Sequence, residues 1–331
     1  MANDISWHSG DVIQYVFGPE RIKKIGILCD LHPTRITSQN WEEQLPYLKE
    51  VEVIFSCWGM PALTPQQLDQ MRKLKAVFYA SGTVQGFARP FLERGIIVCN
   101  AVAANAVPVA EFCLAQILLS CKGAYRNMLE CRKGPWKQSK TSIGNGVYGE
   151  TVALLGIGAI SRHLLKLLKP FNLRIIAVSN YLSPAKAREM GIAALVDLET
   201  AFSEGYVVSN HLADRASNKG ALTGSHFASM REGATFINTG RGAQVNEAEM
   251  IEVFKKRPDL TALLDVQHPE PPLAESELFQ MSNIHLTSHI AGSANHEVLR
   301  MADYMIEEFQ RWESGAPLQH QVDPEIFSFG A

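Results

Sequence analysis

The chain has 331 residues, of which 46% are apolar and 20% charged. Its length corresponds to about two domains at roughly 150 residues each, and its composition excludes a disordered or fibrous protein. The 31 Lys and Arg against 34 Asp and Glu leave a formal net charge of −3, which gives no electrostatic footprint for nucleic acid or an anionic membrane.

Met1 to Gly18 contains Asp4, His8, Asp11 and Gln14 and lacks the basic head and apolar run of a secretory leader. Ile25-Gly-Ile-Leu-Cys29 reads as a strand. Val53–Phe55, Ala76–Tyr79 and Ile96–Cys99 read as three more. Thr64 to Lys73 reads as a helix opening on Thr-Pro. Such alternation predicts a parallel sheet with helices on both faces. A long helix is expected from Val107 to Arg132, with Pro108 in its first turn and Gly134-Pro135 as its stop. No run of 18 apolar residues occurs, so no membrane span is expected.

A turn-rich segment, Trp136 to Gly149, leads into a second alternating unit. Its expected strands are Thr151–Leu155, Leu173–Val178, Tyr206–Val208, Ala234–Ile237, Thr261–Leu264 and Ile284–Thr287. Its expected helices are Ile160–Lys169, Ala185–Met190, Gly224–Met230 and Glu247–Lys256. A last helix, His296 to Trp312, is expected to return to the first domain. The domains are therefore expected as 1–120 plus 300–331, discontinuous, and 121–299. None of the six cysteines has a Cys-x-x-Cys partner, which argues against zinc and dithiol chemistry. Cys29, Cys57, Cys99 and Cys113 lie in apolar runs and read as buried thiols, with Cys121 and Cys131 in a helical stretch. This usage fits a reducing cytoplasm.

Gly156-Ile-Gly158 follows one strand and opens a helix. Gly156 permits a tight turn, Gly158 lets a pyrophosphate approach, and the unpaired amides of Ala159 and Ile160 at the helix start face that charge. Ser161 stands where a third glycine is usual. The acid expected about twenty residues on is missing, and Val178-Ser179-Asn180-Tyr181 stands there. Ser179 and Asn180 neither grip a ribose strongly nor repel a 2′-phosphate. NAD and NADP are both admitted, with Lys186 and Arg188 near in sequence.

Three polar residues follow strands: Arg241 after Phe236–Gly240, Glu270 within Asp265–Pro271, and His289 within Leu286–Gly292. The carboxyl ends of parallel strands face one crevice. An arginine holds a carboxylate with a two-pronged ion pair. A histidine exchanges a proton near neutral pH, and a carboxylate behind it fixes its orientation. Together they suit hydride transfer to a 2-keto acid. Taken singly, each also reads blandly: a surface charge, a loop residue, a satisfied structural histidine. His211, ending a strand, reads as a nicotinamide-side residue or as core.

In these motifs the chain resembles the D-isomer-specific 2-hydroxyacid dehydrogenase family, from about Lys24 to Trp312. Asn238-Thr-Gly-Arg-Gly242, Asp265 through Pro271 and Thr287-Ser-His-Ile-Ala-Gly292 carry the resemblance, supported by Gly95–Asn100, Asn105–Glu111 and Ala80-Ser-Gly-Thr83. It implies His289 as acid/base, Glu270 as its partner and Arg241 as substrate anchor. It places Thr239, Gly240, His211 and Asp265 with the cofactor, and Ser81 and Gly82 at the substrate carboxylate. It implies two doubly wound parallel-sheet α/β domains, a Rossmann-type NAD(P)-binding domain and a flavodoxin-like substrate domain, as a homodimer through the cofactor domain. The implied substrate is a small anionic 2-keto or 2-hydroxy acid, with no metal. Departures are Ser161 in place of glycine, Ser179 in place of the ribose-binding acid, Val84 and Phe87 in place of aspartates, Ala213-Asp214 in place of Pro-Leu, and Ser288 in place of proline. The competing readings are an NAD(H)-sensing regulator and a dehydrogenase of another small acid such as formate or phosphite.

Overall fold

The computed structural model describes residues 1, 11–134, 143–324 and 327. Part of the expected Trp136–Gly149 turn segment lies outside them. The first helix, α1, spans Val12–Leu28. The Asp11 carboxylate caps it, accepting from the Ile13 and Gln14 amides, and Gly18 kinks it at φ 64° before Pro19. The expected strand at Ile25–Cys29 is therefore corrected to the end of a helix. Ile22, Ile25 and Leu28 recur every third residue and join one core cluster, while Ile27 between them is 77% exposed. Helical spacing outweighs the branched residues.

Next come α2 (Trp41–Leu48), β1 (Val53–Ser56), α3 (Pro65–Gln70), β2 (Ala76–Tyr79), α4 (Arg89–Leu92) and β3 (Ile97–Asn100). Thr64 and Gln67 form a reciprocal capping box at the start of α3, with Pro65 in the first turn, as the Thr-Pro pair foretells. The expected helix Val107–Arg132 is two helices, α5 (Val102–Cys121) and α6 (Ala124–Cys131). Gly123, at φ 65°, separates them, and Pro108 lies inside α5 rather than in its first turn.

The chain continues through β4 (Tyr148–Leu155), α7 (Ala159–Leu168), β5 (Asn172–Val178), α8 (Pro184–Glu189), β6 (Ala194–Leu195), α9 (Leu198–Glu204) and β7 (Val207–Asn210). Then follow α10 (Gly224–Ser229), β8 (Thr235–Asn238), α11 (Glu247–Lys256), β9 (Thr261–Leu264), β10 (Ile284–Leu286) and α12 (Val298–Ser314).

Two compact units result: 1–105 with 293–331, and 106–292. The expected limits at 120 and 300 fall inside α5 and α12. In the first unit β1, β2 and β3 form a parallel sheet in that order. Alternate residues face opposite sides. Phe55, Ala76, Phe78 and Cys99 pack with α1 and with Met301, Met305, Ile306 and Phe309 of α12. Ile54, Val77, Tyr79 and Val98 face Leu68 and Phe91.

In the second unit seven parallel strands run in the order β10-β9-β8-β7-β4-β5-β6. The chain moves outward from β4 to β6, then returns across to β7. The order reverses between β4 and β7, and the crevice above such a switch point is where open α/β sheets bind ligands. This is the Rossmann arrangement, with β7, β8 and β9 fully buried. Helix α5 is long and apolar enough by composition to cross a membrane, although Asn105, Glu111 and Gln116 interrupt it, so the absence of an 18-residue apolar run stands. The helix is embedded in the second unit through Val109, Ala110, Cys113 and Ile117. Core helices of this kind meet the same test of length and composition as membrane spans.

Candidate active site

The site grows from the carboxyl ends of β4, β5, β7, β8, β9 and β10. After β4, Gly156 turns at φ 88°, and a Cβ there would lie 2.7 Å from the His211 carbonyl oxygen. Only glycine meets both conditions. A Cβ on Gly158 would meet nothing within 4 Å, so the space beside it is open to a ligand. Helix α7 starts at Ala159, and the amides of its first turn, including Ile160, have no partner within the helix. Ser161, buried, donates its hydroxyl to the Gly156 carbonyl at 2.6 Å. The serine that replaces the third glycine thus braces the turn. These features fit a dinucleotide pyrophosphate.

The carboxyl end of β5 presents Ser179, Asn180 and Tyr181. The Tyr181 amide donates to Ser179 Oγ at 3.4 Å, and Asn180 and Tyr181 are exposed. Arg215, from the loop after β7, reaches across β4 to Tyr181. Its Nη1 bonds the Tyr181 hydroxyl at 2.5 Å and its Cζ lies 5.4 Å from the ring centre.

His211 is buried. Its Nε2 shares a hydrogen bond with Ser209 Oγ at 2.9 Å, and burial pushes its pKa down to about 4. The imidazole is therefore neutral at pH 7, and it is the backbone of His211 that shapes the glycine turn.

Arg241 follows β8. Its Nη1 donates to the Gly240 carbonyl at 2.8 Å and its Nε to Asp214 Oδ2 at 3.1 Å, and among the described residues Nη2 has no partner. Gln244, buried, holds the local backbone. Its Nε2 donates to the Leu212 and Ala213 carbonyls, and its Oε1 accepts from the Arg241 amide and Asn210 Nδ2. A side chain on Gly242 would penetrate the Gln267 backbone. Thr239 and Gly240 are buried, and Thr239 Oγ1 lies 3.4 Å from Cys113 Sγ.

His289 sits at φ 58°, a conformation costing a non-glycine residue on the order of 1–3 kcal/mol when strained. Asp265, buried at the end of β9, holds it. The Asp265 carbonyl accepts the His289 amide at 3.0 Å. Its Oδ1 accepts from Thr287 Oγ1 and the Ile290 amide, and its Oδ2 from the Ala291 amide. The carboxylate that the resemblance places with the cofactor thus also shapes the histidine loop. His289 Nδ1 meets Glu270 Oε1 at 2.6 Å, and among the described residues Nε2 has no hydrogen-bond partner. Both side chains are about half exposed.

Ser81 and Gly82 lie in the first unit, beyond β2. The Ser81 amide is engaged by the Tyr79 carbonyl, whereas a Cβ on Gly82 would meet nothing within 4 Å. Gln244, Arg215 and the pairing of Asp214 with Arg241 escape sequence reasoning, because each acts through a loop contact.

Residues 114–291 match the family described as D-isomer specific 2-hydroxyacid dehydrogenase, NAD binding domain. Over 242 residues the chain is 27% identical to the D-3-phosphoglycerate dehydrogenase of Archaeoglobus fulgidus, covering 72% of this chain and 46% of that one. It is 26% identical over 287 residues to the hydroxypyruvate reductase of Thermotoga maritima, covering 85% and 92%. The chain spans about half the length, or less, of the curated phosphoglycerate dehydrogenases it matches. A phosphoglycerate oxidoreductase structure from Rhizobium etli shares the fold with a TM-score of 0.78 at 19% identity, covering 98% of both chains. With the family match spanning more than half its length, the chain belongs to the D-isomer-specific 2-hydroxyacid dehydrogenase family and carries its Rossmann NAD(P)-binding domain.

Proposed function

We propose that the chain is an NAD(P)-dependent oxidoreductase that interconverts a D-2-hydroxy acid and its 2-keto acid, with reduction of small acids of the glyoxylate or hydroxypyruvate type as the favoured direction. The observation that carries this reading is the His289–Glu270 pair at 2.6 Å, in a unit where Arg241 Nη2 has no partner among the described residues. When bound, the nicotinamide supplies or accepts the hydride at C2. Glu270 holds Nδ1, so Nε2 is the atom that gives a proton to the carbonyl oxygen and takes it back in the reverse direction. Arg241 anchors the substrate carboxylate and orients the carbonyl. The acid competes with Asp214 for that guanidinium, which favours a small carboxylate able to displace it.

The same reading has the chain working in the reducing cytoplasm, where its six cysteines remain free thiols. It has the chain acting as a homodimer through the second unit, with no nucleic-acid or membrane partner. The test is a panel of 2-keto acids with NADH and NADPH. His289→Ala should lower turnover by about 10² to 10⁴-fold while a dinucleotide titration shows retained binding. Full turnover in that variant would remove His289 from the chemistry. A wild-type chain that binds dinucleotide and reduces none of the acids would favour an NAD(H)-sensing protein instead.

A further inference from the structure

Above the switch point, the adenosine half of a dinucleotide falls on the β5 side and the nicotinamide half on the β7 side. The β5 side lacks the carboxylate that would bind a ribose 2′-hydroxyl and repel a phosphate there. It presents instead the hydroxyl of Ser179, the amide of Asn180 and the ring of Tyr181, which is 83% exposed. Onto that ring comes Arg215.

Arg215 is unusual in its company. Its described partners are the Tyr181 ring and hydroxyl, and none is a carboxylate. Among the described residues its Nε is buried without a hydrogen-bond partner. A donor left in that state carries a desolvation cost that a ligand acceptor would relieve. The adjacent acid, Asp214, is turned to Arg241, and Glu189, on the helix that follows Tyr181, is paired with Lys186. Local acids therefore do not neutralise Arg215. The aromatic platform fixes the plane of the guanidinium, as a fork for a phosphate requires.

We infer that Arg215, seated on Tyr181, is the receptor for the 2′-phosphate of NADP(H), with Ser179 and Asn180 as its neutral flank. The chain is thereby specific for the phosphorylated dinucleotide. The inference rests on the reading of the Gly156–Gly158 turn as a dinucleotide site, and it adds which dinucleotide. The Arg215 contact spans from the loop after β7 to the loop after β5, so scanning the residues directly after β5 for a basic side chain misses it.

The test is binding to the intact chain without substrate. NADPH and NADH are titrated by fluorescence or calorimetry, and 2′,5′-ADP is compared with 5′-ADP. NADPH should bind at least about ten-fold more tightly than NADH, and 2′,5′-ADP more tightly than 5′-ADP. Arg215→Gln should weaken NADPH at least about ten-fold and NADH less than two-fold, with Arg215→Lys intermediate. Ser179→Asp, which leaves the arginine in place, should reverse the preference toward NADH. Equal affinity for the two dinucleotides in the wild-type chain overturns the inference. So does an equal loss for both in Arg215→Gln, which would mean that Arg215 serves the adenine or the loop. If neither dinucleotide binds, the dinucleotide reading of the glycine turn falls, and this inference with it.

Discussion

Asp214 occupies the guanidinium edge that a substrate carboxylate needs, so the anchoring arginine carries a competitor within its own loop. The Arg241 and Asp214 side chains are 41% and 62% exposed, and exposed pairs contribute about 0–1 kcal/mol. Asp214→Asn should therefore lower KM for a 2-keto acid by about two- to five-fold, with kcat little changed. Steady-state kinetics on one acid at fixed cofactor would check it, and an unchanged KM would show that the carboxylate yields without cost. Arg241, Glu270 and His289 stand out in the sequence because each follows a strand, and the structure brings two of them, His289 and Glu270, into contact. The Asp214 pairing, the Gln244 brace and the Asp265 hold on the histidine loop are not legible there. Each depends on how a loop folds over residues distant in the chain, and spacing along the sequence does not encode that.

Helix α5 shows what element-scale reading captures and what it loses. Its apolar character is plain from sequence, but its limits were not. Asn100 Oδ1 accepts the Val102 amide and opens the helix earlier than Pro108 suggested, and Gly123 ends it earlier than Gly134. The strands of the second unit are legible because parallel strands buried on both faces become continuous branched runs. Strand β6 has two residues, too short to show a period. Helix α5 is 39% buried along its most apolar window, and Leu119 and, on α6, Met128 are exposed. A second copy of the chain is the proposed cover for that apolar face. Leu119→Lys should weaken the dimer at least about ten-fold, since a desolvated charge at the centre of an interface is costly. Light scattering across a dilution series would measure it, and a wild-type chain that is monomeric at all concentrations would refute the proposed dimer.

At the scale of the whole molecule, His211 links stability to pH. Burial holds its folded pKa at about 4 against an ordinary 6.5. Between those values the unfolded chain binds more protons than the folded one. Stability is therefore complete above pH 6.5 and is lost as pH falls toward 4. The loss should be about 2 kcal/mol between pH 7 and pH 5. Denaturant titrations at both values should show a flatter dependence in His211→Gln than in the wild-type chain. A variant as acid-sensitive as the wild type would assign that limb to other groups.

The two-piece first unit has a consequence for biosynthesis. The inner face of its sheet is closed by α12, whose Met301, Met305 and Phe309 complete the packing around Phe55 and Phe78. A ribosome delivers α12 roughly 190 residues after the first piece ends, on the order of 10 to 40 s later at typical elongation rates. During that interval the second unit, contiguous in sequence, is being made, while the first piece waits with an uncovered apolar sheet. The nascent chain is then most exposed to aggregation and to holdase chaperones through its earliest residues. Its last helix acts as the latch that ends that exposure.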